Sequence, residues 1–573
     1  MTVADRRWPP LNFNRFRLRP FSFTEGLWIC ATVLAAVAVG VPLLASIAAA
    51  LSASGQTWNH LTRTVLGEYV SASVGLAVGT AGLAIGLGVA TAWLVVATQF
   101  PGRRWFEWLL LLPLAFPAYL LAYVYTDLLD FYGPIQSWVR SLTGWKFGEY
   151  WFPPIRSLPG AILMMGLVLY PYVYMLARVA FLEGAASLLE AGRTLGLNPW
   201  QGFWRVALPM ARPAIAGGAA LVMMEALGDY GTVEFFSVNT FAVGIYRTWF
   251  AMGDRPAACQ LSALLLGAVL LLVWVEQRSR GGAGYRSGGA YAVQAPYSLR
   301  GLRAIGAWVV CGLPLFLGFG LPALLLASMA IRNPNSLLDP SFLLYVRNTA
   351  VVASLAAVTA AIIAGAAVYG VRVVSGPLMR FLLKLMALGY AIPGSVAAVG
   401  VLISVGWVDQ QLATQPLAIA PEAGAASSGL LLSGTIGALI FAYWVRFLAL
   451  ALNPIEASLD RIVPNLDGAA RIAGLSPGAV LWRVHVPMLR GGLLTALLLV
   501  FVDTVKELPA TLIVRPFNFD TLAVRAYQLA SDERIVDAAG PALAIVAVGI
   551  VPVALLSWQI SRSRPRRLPS EFR

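Results

Sequence analysis

The 573-residue sequence has few of the residues that build catalytic and metal sites, with only two histidines and three cysteines. The cysteines, Cys30, Cys259 and Cys311, show no metal-binding or redox spacing, so we expect them to pack as small apolar residues. No G-x-x-x-x-G-K-[ST] phosphate-binding sequence is present, so ATP must be bound by another chain. The sequence therefore contains no recognisable set of catalytic residues. It predicts a protein that is not an enzyme and binds no cofactor itself.

Charged residues are also scarce, at 12% of the chain against about 25% in soluble proteins. Hydrophobic residues reach 59%, and the mean hydropathy is +0.74. The apolar residues form runs near the roughly 20 residues that cross a bilayer. They predict an all-α polytopic membrane protein with about twelve spans, six in each half. The predicted spans are 27–51, 69–98, 105–129, 158–182, 213–237, 257–275, 304–330, 348–371, 378–408, 428–452, 487–512 and 538–559.

The net charge of +14 does not indicate a nucleic-acid partner. The arginines cluster before the first span, in the middle of the chain and after the last span. Lys and Arg favour cytoplasmic loops, and an even number of spans puts these three regions on one side. We therefore expect cytoplasmic termini in a bacterial inner membrane. The N-terminal apolar run is too long for a signal peptide, so we interpret it as an uncleaved span.

The chain repeats itself at an offset of 278 residues, since 191–212 and 469–490 share eleven identical positions of 22. The repeat predicts a first half, 1–276, and a second half, 303–573, joined by a Gly-, Ser- and Arg-rich linker, 277–302. Six spans return the chain to its starting side. The halves are therefore expected to be parallel and pseudo-symmetric, related by an axis along the membrane normal.

The repeated segment lies in a predicted cytoplasmic loop of each half and has a helix-break-helix pattern. Gly196 suits the left-handed end of one helix, and Pro199 suits the first turn of the next. An apolar stripe at helical spacing follows. It contains Trp200, Phe203, Trp204 and Ala207. Such a stripe either packs beneath its own membrane domain or docks a partner.

The loop resembles the EAA loop of ABC importer permeases, with the pattern E-A-A, three residues, G, nine residues, I-x-L-P. The first copy, in the loop 185–209, matches at Glu190, Ala191, Gly196, Leu208 and Pro209. The second copy, in the loop 463–487, matches at Ala469, Ala470, Gly474, Val484 and Pro487, and it repeats Trp204 as Trp482. Gly468 stands where the glutamate belongs, and Asp467 is one position early. The resemblance implies two coupling loops that seat two copies of an ABC ATP-binding subunit, which carry ATP and Mg.

Two acidic pairs lie near the predicted outer ends of the fifth and eleventh spans. Glu225 and Asp229 are four residues apart on one helical face, and Asp503 and Glu507 repeat them. Acidic residues in spans usually face a cavity or a partner, and hard cations prefer oxygen ligands. We expect them to line a translocation path, with transient Fe3+ contact but no stable metal. Alternatively they lie at the periplasmic surface, pair with Lys506 or Arg247, or touch a delivering protein.

The stretches 224–264 and 502–543 resemble ferric iron permeases, which are themselves fused two-half chains. That resemblance implies import of Fe(III) from a periplasmic ferric-iron-binding protein by alternating access. Thiamine and polyamine permeases share the architecture and remain alternatives for the cargo. A secondary transporter with parallel halves would need no ATPase and no docking loop, and a membrane scaffold leaves the paired acids unexplained.

Overall fold

The computed structural model describes residues 23–562 except 53–54, 147–148, 184–195, 280–296, 335, 337–338, 375, 415–430 and 464. The helices of the first half are α1 (Phe23–Ala50), α2 (Gly55–Thr64), α3 (Leu66–Ala97), α4 (Arg103–Leu109), α5 (Ala118–Leu129), α6 (Pro134–Thr143), α7 (Leu158–Glu183), α8 (Pro199–Gly202), α9 (Leu208–Gly228), α10 (Gly231–Phe235), α11 (Phe241–Phe250) and α12 (Arg255–Ser279). Those of the second half are α13 (Leu302–Leu315), α14 (Leu321–Arg332), α15 (Pro340–Val373), α16 (Pro377–Ala387), α17 (Gly394–Thr414), α18 (Ile436–Leu459), α19 (Asn465–Ile472), α20 (Pro477–Val480), α21 (Val486–Val505), α22 (Pro509–Val514), α23 (Leu522–Ser531) and α24 (Ile535–Arg562). In the described residues, strand structure is limited to one parallel pair, β1 (Thr98–Gln99) with β2 (Tyr297–Ser298).

The predicted all-α polytopic fold is confirmed. In the described part of the chain, eleven helices are long and apolar enough to cross a membrane. The number rises to twelve when the pair 103–115 and 118–143, bent by 89° at the position of the predicted third span, is counted as one broken span. The predicted ninth span, 378–408, is divided, because α16 and a 3-10 turn precede the spanning helix, which begins at Gly394.

Helix breaks occur at the same place in the third span of each half. A 3-10 turn, Leu112–Ala115, precedes Pro117, and its counterpart, Leu388–Ala391, precedes Pro393. The residue before each proline is extended, with φ −91° and ψ 122° at Phe116, because the proline ring disfavours a helical conformation there. The broken backbone lies inside the protein, as membrane proteins require.

The repeat is visible in the helices as well as in the sequence. The helix α7 and its counterpart α18 start 278 residues apart, as do α8 and α20 and also α9 and α21. Equivalent hydrogen bonds follow. The backbone amide of Phe241 donates to Ser73 Oγ over 3.1 Å, and that of Leu522 donates to Thr349 Oγ1 over 2.8 Å.

The first helix of each half packs against the other half. The helix α1 lies so close to α17 that a Cβ added at Gly400 would approach the Pro42 oxygen to 2.3 Å. Likewise, a Cβ added at Gly318, between α13 and α14, would lie 2.5 Å from the Leu167 oxygen in α7. The predicted sequence halves are therefore interlocked in space, and the buried side chains form two clusters that each draw on both.

Candidate functional site

A cavity of about 100 Å³ lies where the two halves meet. Its walls come from the broken third spans, from the middle of α7 and α18, and from the segments that follow α9 and α21. All four acids of the two sequence pairs reach it. Its polar lining residues are Glu225, Asp229, Asp503, Glu507, Arg446, Lys506, Tyr119, Tyr172 and Tyr390.

Two of the carboxylates also fix the backbone at the end of a span. Asp229 Oδ2 accepts hydrogen bonds from the amides of Thr232, over 2.9 Å, and Val233, over 3.3 Å, at the start of α10. Glu507 Oε1 accepts from the amide of Ala510, over 2.9 Å, at the start of α22. Each acid thus satisfies free donors of a short helix, which holds its carboxylate at the cavity.

Among the described residues, the cations that line the cavity, Arg446 and Lys506, both come from the second half. Arg446 Nη1 lies 2.5 Å from Glu507 Oε2, and Lys506 Nζ lies 2.6 Å from Asp503 Oδ1. The residues 278 positions earlier are Val168 and Gly228, which carry no charge. Among the described residues, Glu225 and Asp229 have no Lys or Arg nitrogen within 4.0 Å. The acids are therefore repeated in both halves, but the cations that pair with them are not.

The acids lie at the ends of the spans that carry them, because α9 stops at Gly228 and α21 stops at Val505. Arg446 and Tyr172, which line the cavity with them, lie near the middle of α18 and α7. The helical run that contains α9 begins at Pro199, in the docking loop, and stops at Gly228. The helix therefore ends at the level of the cavity. Of the predicted ion pairs, Lys506 does pair with Asp503, whereas Arg247 pairs with Glu234, at 3.3 Å.

The described residues include no group of three or more His, Cys, Asp or Glu arranged to hold a metal ion. The carboxylates are thus spread around the cavity rather than gathered on one point. Tyr390 connects them to the phenols, because its hydroxyl donates to Glu225 Oε1 over 2.7 Å.

The two repeated loops, 185–209 and 463–487, have the predicted break, and we call them the docking loops after their predicted role. Gly196 and Gly474 both have φ +81°, which is the left-handed conformation that glycine adopts freely. In the first copy, Asn198 and Gln201 form a capping box at the start of α8. The predicted Pro209 and Pro487 lie in the first turns of α9 and α21. Glu190 and Ala191 lie outside the described residues.

The predicted apolar stripe is divided between two surfaces. Phe203 is 9% exposed and packs on Trp93, with ring centroids 5.0 Å apart. Trp200 and Trp204 are 68% and 52% exposed. A π-helical turn, Phe203–Ala207, interrupts the helical register here, and π-turns are common at functional sites. In the second copy Trp482, the counterpart of Trp204, is 71% exposed.

The second loop contains an internal ionic network. Asp467 Oδ2 accepts from Arg372 Nε of α15 over 2.9 Å, and its Oδ1 lies 2.7 Å from Nε2 of the buried His485. Arg372 also donates to the Leu459 and Ile462 carbonyls. Partial burial alone would raise the pKa of Asp467, but Arg372 and His485 lower it below its usual range. The carboxylate is therefore ionised at neutral pH, and its contribution is lost only as the pH falls through that lowered value.

Three proteins are similar in sequence to parts of this chain. The Fe(3+)-transport system permease protein FbpB 2 of Haemophilus influenzae is 26% identical over 481 residues, or 82% of this chain and 86% of that protein. The molybdenum transport system permease protein ModB of Escherichia coli is 30% identical over 208 residues, or 34% and 87%. The sulfate transport system permease protein CysT of Escherichia coli is 28% identical over 195 residues, or 33% and 66%.

Residues 82–277 match the family described as binding-protein-dependent transport system inner membrane component. The chain belongs to this family of ABC transporter permeases. An alignment of 481 residues is longer than either half of the permease, so the Fe(3+)-transport relative must match both. Alignments of 208 and 195 residues are shorter than either half. The permease is a multi-pass membrane protein, and its relatives are transporters rather than enzymes.

The network at Asp467 gives a prediction for this permease. Replacing Asp467 with Asn removes a charged hydrogen-bond acceptor, which usually contributes about 1.5–3 kcal/mol. We expect faster amide hydrogen exchange across 465–485 and unchanged exchange in α7. Asp460→Asn, at an exposed acid that follows α18, is the control. Equal exchange in the two variants would show that the network does not hold the loop.

Proposed function

We propose that this permease moves ferric iron, delivered by a periplasmic binding protein, into the cytoplasm. The observation that carries the proposal is the convergence of four carboxylates, two from each half, on one cavity between the halves. With every group in its usual ionised form, these four negative charges face two positive ones, Arg446 and Lys506, which leaves a net charge of −2. Oxygen-rich, negatively charged surroundings favour hard cations.

Oxyanion cargo is the main competitor, since relatives are named for molybdenum and sulfate transport. An oxyanion needs free positive charge or free backbone amides. Here each cation is already paired with a carboxylate, and the amides beyond Asp229 and Glu507 are occupied by those acids. This arrangement favours a cation.

The size of the cavity argues against thiamine and polyamines. Pockets for drug-sized ligands usually have about 300–1,000 Å³, whereas this one has about 100 Å³. A metal ion with few remaining waters fits such a volume in this conformation. The mid-span position of the cavity suits alternating access, in which the two halves move against each other around a central site.

Two copies of an ABC ATP-binding subunit would occupy the two docking loops and carry the ATP and Mg. The exposed Trp204 and Trp482 offer one apolar contact for each copy. This arrangement places the loops and both termini in the cytoplasm. Movement of the ATP-binding subunits would then be transmitted to the cavity through α9 and α21, because each of these helices continues directly from the short helix of its docking loop, α8 or α20.

The test is uptake of radioactive iron by cells that lack the chromosomal copy and express this permease with its transporter partners. We expect ATP-dependent accumulation of iron supplied as ferric citrate, with no effect of excess molybdate, sulfate or thiamine. Accumulation of molybdate or sulfate without iron would replace the proposal with an oxyanion permease.

A further inference from the structure

A second, shallow cavity of about 500 Å³ lies at the start of α13, where the second half begins. Its lining residues are Ser298, Arg300, Leu302 and Arg303. It shares no lining residue with the cavity between the halves. Because two of the four lining residues are arginines, the second cavity suits an anion, and arginine binds phosphate oxygens in pairs.

The second cavity lies on the face of the protein that carries the docking loops. The strand β2, which supplies Ser298, pairs with β1 directly after α3. The same end of α3 contacts the first docking loop, because Trp93 packs on Phe203. The Leu299 amide also donates to the Gln99 carbonyl over 2.8 Å. The strand pair thus holds the segment with the two arginines against the first half.

The charge of the two arginines is not balanced by a neighbouring carboxylate in the described residues. Arg300 and Arg303 have no Asp or Glu oxygen within 4.0 Å there. The sequence contains no Asp or Glu from 277 to 338, so the linker supplies none. On α4, which packs against α13, Glu107 is already paired with Arg178 at 3.4 Å. The cavity therefore keeps its positive charge for an anionic ligand.

Two tryptophans indicate where the bilayer surface passes beside this cavity. Trp308 of α13 is half-exposed, and its indole N–H donates to the Pro101 carbonyl over 2.9 Å. Trp105 of α4 is 73% exposed. Tryptophan is enriched at the level of the lipid headgroups, where its apolar ring and its polar N–H are both accommodated. Arg303 precedes Trp308 by five residues, which places it about 7.5 Å nearer the docking-loop face, among the headgroups.

An exposed apolar stripe on α13 leads from this cavity into the membrane. It consists of residues at helical spacing, Leu302, Ile305, Val309 and Leu313. Leu302 lines the cavity and is the most exposed of the four, at 85%. In a bilayer such a stripe contacts acyl chains. A ligand with an anionic head and an apolar tail therefore matches both the cavity and the stripe.

The start of α13 adds hydrogen-bond donors to the two arginines. Gly301 has φ +57°, and no side chain caps the helix. The amides of the first helical turn point toward the end at which the cavity lies, and the helix dipole favours an anion there.

We propose that Arg300 and Arg303 bind the phosphate of an anionic phospholipid whose acyl chain lies along the exposed stripe of α13. Basic pockets beside spans bind anionic headgroups in this way. The bound lipid lies at the seam where the second half begins and where β2 and α13 pack on the first half. The proposal does not depend on the cargo.

The test measures lipid binding to the purified full-length permease by native mass spectrometry. Phosphatidylglycerol and phosphatidylcholine are added separately at equal concentrations, and the wild type should retain phosphatidylglycerol preferentially. Arg300→Gln combined with Arg303→Gln should bind phosphatidylglycerol about 30-fold more weakly. Arg300→Gln alone changes a residue before the helix begins, and it should bind about fivefold more weakly.

Arg380→Gln combined with Lys384→Gln is the matched control. Both are exposed cations of α16 that do not line the cavity. The helix α16 follows α15, whose Arg372 pairs with Asp467 of the second docking loop, so the control removes two charges from the same face. It should bind phosphatidylglycerol as strongly as the wild type does.

Three results would overturn the inference. Equal retention of the two lipids by the wild type would show that the headgroup charge is not recognised. An equal loss in the α16 control, or unchanged binding by Arg300→Gln, would show that the cavity is not the site. Inorganic phosphate is added as a competitor in a further arm, and its displacement of phosphatidylglycerol at equal concentration would assign the cavity to a free anion instead of a lipid.

Discussion

Changing Asp229 to Asn and Glu507 to Gln together is expected to lower ferric iron uptake at least about tenfold, because each substitution removes one negative charge from the cavity. The amides keep the size of the side chains. They also keep an oxygen for the backbone amides that Asp229 and Glu507 now cap. Uptake of radioactive iron at matched membrane expression measures the effect. Association with the ATP-binding subunit should not change.

Glu234→Gln is the matched control for this pair. Glu234 lies on α10, five residues after Asp229, but it pairs with Arg247 and does not line the cavity. Its substitution should leave uptake near the wild-type rate. Normal uptake by the double variant would remove the cavity carboxylates from the transport path. A loss as large in Glu234→Gln would point to a general effect of acids near the ends of the spans.

Trp204→Ala combined with Trp482→Ala is expected to release the ATP-binding subunit. Exposed tryptophans at protein interfaces often contribute about 2 kcal/mol or more each, which corresponds to about 30-fold weaker binding at each seat. Co-purification of the ATP-binding subunit with the permease measures this effect. Substituting only one of the two tryptophans would test whether the seats are equivalent, given that Glu190 is present in the first loop and Gly468 in the second.

Two further variants separate docking from folding. Trp138→Ala changes a tryptophan of similar exposure, 64%, on α6 outside both docking loops, and it should leave association intact. Phe203→Ala instead removes a largely buried ring that packs on Trp93, so it should destabilise the permease, as Phe→Ala changes in cores do by about 3–5 kcal/mol. Retained co-purification in the Trp204 and Trp482 double variant would contradict the docking proposal.

The spans and the duplication were predictable from the sequence because both depend on local composition and on spacing along the chain. Apolar runs near 20 residues determine whether a segment is stable in a bilayer. The break in the docking loop was likewise local, since the glycine and proline preferences act within a few residues. The broken third spans also had a local signal, Pro117 and Pro393 within apolar runs, which the hydropathy argument passed over.

The pairing of charges at the cavity was not predictable in the same way. Arg446 lies 61 residues before Glu507, and Tyr390 lies 165 residues after Glu225. Only the packing of helices from both halves brings these groups together. A repeat in the sequence predicts which backbone segments are equivalent. Which side chains form ion pairs or hydrogen bonds depends on the residues that the tertiary structure brings next to them. Asp467 shows the same dependence, because its partners Arg372 and His485 belong to other elements.

The sequence by itself determined that this protein is a duplicated, all-helical membrane permease with two loops of helix-break-helix pattern, because hydropathy, repeat and capping residues are local properties. Only the tertiary structure decided that the four acids meet at one cavity near the middle of α7 and α18. It alone decided that the counter-charges come from the second half, and that Phe203 faces inward while Trp204 faces out. These features depend on where helices stop and on which helices they pack against. Such contacts form between residues that are far apart in the chain.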